Sequence, residues 1–257
     1  ITVKKLLEIA RNMPSGADLN FKFNPDKMKM KVTSGENRFV LSCLSENEFP
    51  NLKASINQNK FEISQEKLLS SLKKVHFAMG YQDVRSYLNG VLLELVNNNI
   101  NFVATDGHRL SMTKVLLESD PVYENQDDFA RVIVPRKAVL EIMRLLDTSP
   151  DNVSICFSKN HLKLDLGNVV FTTKLLEGSY PDYNRVIPKV GPYCLKARTD
   201  TFKQALSSVS VLASEQYNGV LFGLKNNHPE MVLQTYNPEQ EIAHASIPVD
   251  YEGNDVN

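Results

Sequence analysis

Asp106 and His108, in the run Val103-Ala-Thr-Asp-Gly-His-Arg-Leu110 with Ser111 just behind, are the residues best placed by type to do chemistry. A carboxylate, an imidazole and a hydroxyl are the ingredients of nucleophilic hydrolysis, in which the base activates the hydroxyl and the acid orients the base. Nothing else in the chain supports that use. There is no G-x-S-x-G turn, no P-loop, no G-x-G-x-x-G run after a strand and no H-E-x-x-H helix. Histidines 76, 108, 161, 228 and 244 lack metal-ligand spacing, and Cys43, Cys156 and Cys194 form no C-x-x-C pair. Catalysis, a metal site and a cofactor are therefore not expected. The same run suits a tight turn at Asp106-Gly107.

A second chemistry is carried by charge spacing. Lys4 and Arg11, Lys67 and Lys74, and Lys137 and Arg144 each stand seven residues apart. Seven steps of a 3.6-residue helix return to nearly one face, so each pair is presented together, opposite an apolar stripe. One such face is an ordinary solvated surface; three with the same spacing gain meaning if the assembly turns them all toward one channel. Sparse cations give phosphate contacts that are weak, salt-dependent and blind to base sequence. A formal net charge of −1 excludes a protein that coats nucleic acid by bulk attraction.

These residues need elements to hold them. Leu68, Leu69, Leu72 and Val75 at helical spacing predict a helix over 65–78 with Ser64 as N-cap. Residues 91–95, 101–105 and 108–114 read as short strands, the last two joined by the Asp106-Gly107 turn. Pro135 and Arg136 introduce a second helix over 137–146, followed by strands over 153–157, 161–166 and 169–174. Helix, strands, helix, strands predicts an α+β unit with its helices gathered on one side of antiparallel sheets. The widely spaced cysteines fit a reducing, cytoplasmic setting, and apolar runs such as Val91-Leu-Leu93 are far too short to span a bilayer, so no membrane partner is expected.

The chain also matches itself at an offset of about 130 residues. Lys4-Lys-Leu-Leu-Glu-Ile-Ala-Arg11 lies over Lys137-Ala-Val-Leu-Glu-Ile-Met-Arg144 with five of eight positions identical, and Phe49-Pro50 lies over Tyr180-Pro181. Asn89-Gly-Val-Leu-Leu-Glu-Leu95 lies over Asn218-Gly-Val-Leu-Phe-Gly-Leu224 with five of seven identical. Several matches in one order indicate repetition, at a period suited to a small domain. The expected layout is the second half of a unit over 1–57, a complete unit over 58–190 and the first half of a unit over 191–257.

Four blocks in one order then carry a resemblance. Gln82-Asp-Val-Arg-Ser-Tyr-Leu-Asn-Gly90, Val103-Ala-Thr-Asp-Gly-His-Arg-Leu110, Val132-Ile-Val-Pro-Arg-Lys137 and Gly178-Ser-Tyr-Pro-Asp-Tyr-Asn-Arg-Val-Ile-Pro188 are together similar to the bacterial DNA polymerase III β subunit, the sliding clamp. The resemblance runs the length of the chain and implies a piece of a clamp, short at both ends. It implies a clamp fold of repeated α+β domains with inner helices and outer sheets, two chains closing a ring as a homodimer when full length. The implied function is a non-catalytic processivity factor that encircles duplex DNA. Its implied partners are the replicative polymerase, the clamp loader and other proteins with a clamp-binding motif. The DNA-facing positions it implies are Gln82, Tyr87, Arg136, Lys137 and Arg144, beside the cations at Lys4, Arg11, Lys67 and Lys74. At Ser86 many relatives carry an aromatic residue, a departure in this chain. A peptide-binding cleft is implied at Leu88, Thr105, Gly107, His108, Arg109, Leu110, Pro181, Arg185 and Val186. In the family the C-terminal tail completes that cleft, so weaker peptide binding is expected of this chain. Phe39 and Leu41, and Val211 and Leu212, are the implied halves of the ring contact. The alternative is a repeat-built peptide adaptor that does not encircle DNA.

Overall fold

Period-two alternation and period-3.6 stripes sort the chain into four helices and fifteen strands among the described residues. The computed structural model describes residues 1–48, 59–123, 129–189, 191–213 and 219–256. The Phe49-Pro50 match, the expected boundary at 57/58 and Asn218 fall outside them. By internal contact the chain divides into two compact units, Ile1–Pro181 and Asp182–Asn257. The repeat-based layout sets its own boundary after residue 190.

In the first unit, helix α1 (Val3–Arg11) precedes a meander of β1 (Asn20–Asn24), β2 (Lys29–Ser34) and β3 (Asn37–Ser42). Then follow β4 (Asn59–Ser64), α2 (Gln65–Val75), β5 (Gly90–Val96), β6 (Asn99–Thr105), β7 (Leu110–Leu116), β8 (Phe129–Pro135), α3 (Arg136–Leu145), β9 (Asn152–Phe157), β10 (His161–Asp165) and β11 (Val170–Lys174). The order strand, helix, three strands occurs twice in this stretch. The two copies exchange their first strands: the antiparallel sheets run β7-β6-β5-β8 and β11-β10-β9-β4. That exchange ties both halves into one core of Leu68, Leu72, Phe102, Val139, Ile142 and Leu164 with their neighbours. Each such apolar side chain taken fully out of water contributes about 1.5–3 kcal/mol.

The helices are placed by their apolar stripes. Leu68, Leu69, Leu72 and Val75 are buried on one side of α2, which lies on β6 and β7, while Ala138, Val139 and Ile142 seat α3 on β5 and β8. The two helices are neighbours in one layer. Ser64 caps α2, its hydroxyl accepting from the Lys67 amide at 3.4 Å. The predicted 65–78 helix becomes 3-10 at His76–Ala78. Strands β4 and β8 are not among the predicted elements. Both lie at the start of a copy, where Ser64 and Pro135 drew the reading toward the helix that follows.

The second unit repeats the order with β12 (Cys194–Ala197), α4 (Thr199–Val209), β13 (Leu221–Gly223), β14 (Glu230–Tyr236) and β15 (Ile242–Glu252), in sheet order β12-β15-β14-β13. Val209, Met231, Leu233, Ile247 and Tyr251 make its core, with Phe202 stacked on Phe222 at 6.0 Å.

Candidate peptide cleft and cationic helix faces

The residues first weighed for hydrolysis build a turn. Thr105 and Leu110 close the β6–β7 ladder, and residues 106–109 connect them. Asp106 Oδ1 accepts from the His108 and Arg109 amides, both at 3.0 Å, and its Oδ2 accepts from Arg109 Nε at 3.0 Å. The Thr105 hydroxyl donates to the Arg109 carbonyl at 2.7 Å and accepts from the Gly107 amide at 3.1 Å. Gly107 has φ +90°, a left-handed conformation that suits glycine. Partial burial would raise the Asp106 carboxyl, but the Arg109 and His108 hydrogen bonds outweigh it and hold the group below its ordinary range. An acid engaged this way orients no histidine. His108 and Arg109 therefore sit in the turn, and strand β7 starts at Leu110 rather than at the predicted residue 108.

A second loop, residues 80–90, is folded on itself and against this turn. Asp83 and Asn89 exchange two hydrogen bonds, at 3.0 and 2.8 Å, and the Gly80 amide donates to the Leu88 carbonyl at 2.8 Å. Arg85 grips Asp83 through Nε at 3.0 Å and Nη2 at 2.8 Å. The Arg85 side-chain and amide hydrogen bonds lower the Asp83 carboxyl to about 2. The guanidinium also packs against the turn: a Cβ on Gly107 would lie 3.1 Å from Arg85 Nη2.

A third segment arrives after β11. The Leu176 amide donates to the Ile133 carbonyl at 2.9 Å, leading the chain past Gly178 to Tyr180 and Pro181. Tyr180 is buried, meets Tyr87 edge-on at 6.5 Å and lies by the Thr105 backbone. Burial pushes its hydroxyl up to about 12, only partly offset by Thr105, and that oxygen has no hydrogen bond of normal geometry among the described residues. Loop 80–90, turn 106–109 and residues 176–181 thus converge. Thr105, Leu110 and Tyr87 are half-buried there, while Gly107, His108, Arg109 and Pro181 are exposed. Leu88 is 2% exposed, so it supports the loop from beneath instead of forming an open wall. Arg85, Asp83 and Tyr180 had no assigned role in the sequence reading. The Asp83-Val-Arg85 spacing is the sequence feature that marks the first two.

Arg185 and Val186 belong to the second unit. Asp182 accepts from the Asn184 amide at 3.3 Å and from Arg185 Nε at 3.1 Å, and Val186 is exposed.

The helix cations lie opposite the buried stripes, as the spacing requires. Lys67, Lys74, Lys137 and Arg144 are exposed, and so are Lys4 and Arg11 on α1. They differ in company. Lys67 pairs with Glu118 at 2.5 Å and Arg144 with Glu141 at 2.8 Å. Lys74, Arg136 and Lys137 are in no ion pair among the described residues. Exposed Gln82 adopts φ +54°. Phe39 and Leu41 are half-buried on edge strand β3, Val211 is exposed, and Leu212 beside it is half-buried. Among the described residues no group of histidines, cysteines and carboxylates is arranged to hold a metal, and no helix is long and apolar enough to cross a membrane.

Comparison with known proteins agrees with this architecture. The DNA polymerase III beta subunit central-domain family matches residues 62–182. The chain is similar to the beta sliding clamp of Pseudomonas putida, with 38% identity over 256 residues, 100% of this chain and 67% of the relative. It is 35% identical to the beta sliding clamp of Escherichia coli K12 over 98% of this chain and 66% of that one. Among solved structures, the DNA polymerase III subunit beta from Pseudomonas aeruginosa aligns with TM-score 0.87 at 35% identity, covering 98% of this chain and 66% of that chain. A DnaN sliding clamp from Bartonella birtlesii bound to griselimycin aligns with TM-score 0.89 at 30% identity, covering 99% and 67%. The chain spans about two thirds of the length of these relatives.

Proposed function

The chain belongs to the bacterial DNA polymerase III β subunit family, the sliding clamps, with their α+β clamp fold, and from that premise we propose that it works as a non-catalytic processivity factor. The likeness to clamps over the whole chain, in sequence and in fold, carries this reading. The adaptor alternative has no such support.

In this proposal α1, α2 and α3 turn their cations toward duplex DNA. Lys74, Arg136 and Lys137, uncommitted to carboxylates among the described residues, make the main phosphate contacts, with Lys4 and Arg11 on α1. Lys67 and Arg144 must first exchange Glu118 and Glu141 for phosphate, and so contribute less. Gln82 and Tyr87 join from the loop. Contacts of this kind are weak and sequence-blind, which permits sliding while enclosure prevents loss. Enclosure is assigned to a homodimer ring joined through Phe39 and Leu41 on one chain and Val211 and Leu212 on the other.

The cleft is proposed to take linear peptides from the replicative polymerase, the clamp loader and other partners. Leu110 and Pro181 offer apolar area to Leu or Phe anchors, a few of which carry most of the affinity in such grooves. Arg109 and His108 orient polar or acidic parts of the peptide.

A salt titration of duplex binding tests the DNA assignment. Replacing Lys67, Lys74, Lys137 and Arg144 by alanine should weaken binding and flatten its salt dependence, by about 0.9 in log–log slope for each phosphate that is no longer neutralised. An unchanged slope would remove the helices from the DNA-binding surface and restore the adaptor reading.

A further inference from the structure

Tyr81 is 73% exposed, yet the backbone on either side of it is tied into the loop. The Gly80 amide before it is bonded to the Leu88 carbonyl, and Gln82 after it turns the chain at φ +54°. The far end of the loop is fixed to α3, since the Arg136 amide donates to the Asn89 carbonyl at 2.9 Å. The Arg136 guanidinium then lies 5.7 Å from the centre of the Tyr81 ring. Arg136 has no carboxylate partner among the described residues, and exposed Lys137 follows it. The outcome is a preorganised aromatic surface beside an uncompensated positive charge, at the head of a helix carrying further cations.

A second cation–aromatic pair in this unit sets a contrast. Arg109 lies 5.8 Å from the Phe77 ring centre, but its guanidinium is already engaged by Asp106. Of these two pairs, that of Tyr81 joins a largely exposed ring to a guanidinium with no carboxylate partner among the described residues.

We propose that Tyr81 and Arg136 form a stacking site for single-stranded DNA adjoining a duplex. This rests on the assignment of the α2 and α3 cations to DNA. The guanidinium lies over one face of the ring, so a base would stack on the other face of Tyr81 while its phosphate meets Arg136, the two parts of one nucleotide. Inside a duplex the faces of the bases are covered by their neighbours, so away from the duplex ends the ring finds a partner only where a strand is unpaired. Arg136 and Lys137 attract both forms of DNA; Tyr81 distinguishes them.

The test is fluorescence anisotropy at low salt with two probes, a blunt duplex and the same duplex carrying a single-stranded overhang. The parent chain should bind the overhang DNA more tightly. Tyr81→Ala should lose about tenfold on the overhang, the scale of one stacked base, with little change on the blunt duplex. Tyr81→Phe should stay within about twofold of the parent on both, because the ring face is kept. Phe77→Ala should behave as the parent, while Arg136→Ala should weaken both probes. Parental overhang binding by Tyr81→Ala overturns the proposal, as does an equal loss on both probes, which would mark a structural effect. A parent that binds neither DNA overturns the DNA assignment itself, and the stacking site with it.

Discussion

The stretch from β4 to β11 and the second unit share one order of elements but bury it differently. In β4, Phe61 and Ile63 are 2% and 4% exposed; in β12, which holds the corresponding place, all four residues are exposed. The cause is the neighbour. Strand β4 joins the sheet of the other copy and puts Phe61 and Ile63 into the core the two copies share, whereas β12, paired with β15, adds no residue to the core of the second unit among the described residues. Helices α1 and α3 show the same contrast: Leu6 and Ile9 are half-buried where the matching Val139 and Ile142 are buried. Local sequence pattern makes the strand or helix; the exchanged strand from a second copy makes it core.

Side-chain truncation should give the largest difference. Phe61→Ala or Ile63→Ala should cost about 2–5 kcal/mol, while Leu195→Ala on β12 should stay within about 1 kcal/mol, as read from urea denaturation. Equal losses would mean that β12 is covered as fully as β4. Two repeat-related glycines sharpen the point. A Cβ at Gly90 would press on the Val134 carbonyl oxygen, whereas one at Gly219 would meet nothing within 4 Å among the described residues. Gly90→Ala should therefore destabilise by roughly 1–3 kcal/mol through separation of β5 from β8, and Gly219→Ala should be nearly neutral.

Helix starts differ more mildly. Ser64→Ala should cost about 1 kcal/mol. The residues before the other helices, Thr2, Pro135 and Arg198, make no capping side-chain bond, and Thr2→Ala should leave the melting temperature unchanged. The smallest effect belongs to loop 80–90. Asp83 titrates near 2 in the folded chain against an ordinary 3.8, so its stabilisation is complete above the ordinary value and fades as pH falls toward 2. Asp83→Asn should lower the urea midpoint slightly at neutral pH and converge on the parent in strong acid. A constant difference across that range would assign the loss to packing.

Much of this was legible in the residues. The stripes of α2 and α3, the Ser64 cap and six of the strands between β4 and β11 follow from period and capping chemistry, and the seven-residue cation spacing foretold which helix face is exposed. What escaped depends on partners far along the chain. Strands β4 and β8 are completed by each other's sheets, and no local pattern announces an exchange. The turn was read one step short: Asp106-Gly107 signals a tight hairpin, but the Asp106 carboxylate draws His108 and Arg109 into the turn as well. Tyr180 and Arg85 matter through neighbours seventy-five and twenty-two residues away, Thr105 and Gly107, which spacing alone does not connect.

The central claim, that the convergence of turn 106–109 with Tyr180 and Pro181 is a peptide-capturing cleft on a clamp, is tested most directly by competition calorimetry. Griselimycin, bound in the clamp structures of two relatives, and an extended peptide with Leu and Phe anchors should compete for one site on this chain. His108→Ala and Leu110→Ala should weaken both ligands, by about tenfold or more if either residue is a hot spot. Independent binding of the two, or parental affinity in both variants, would contradict the account.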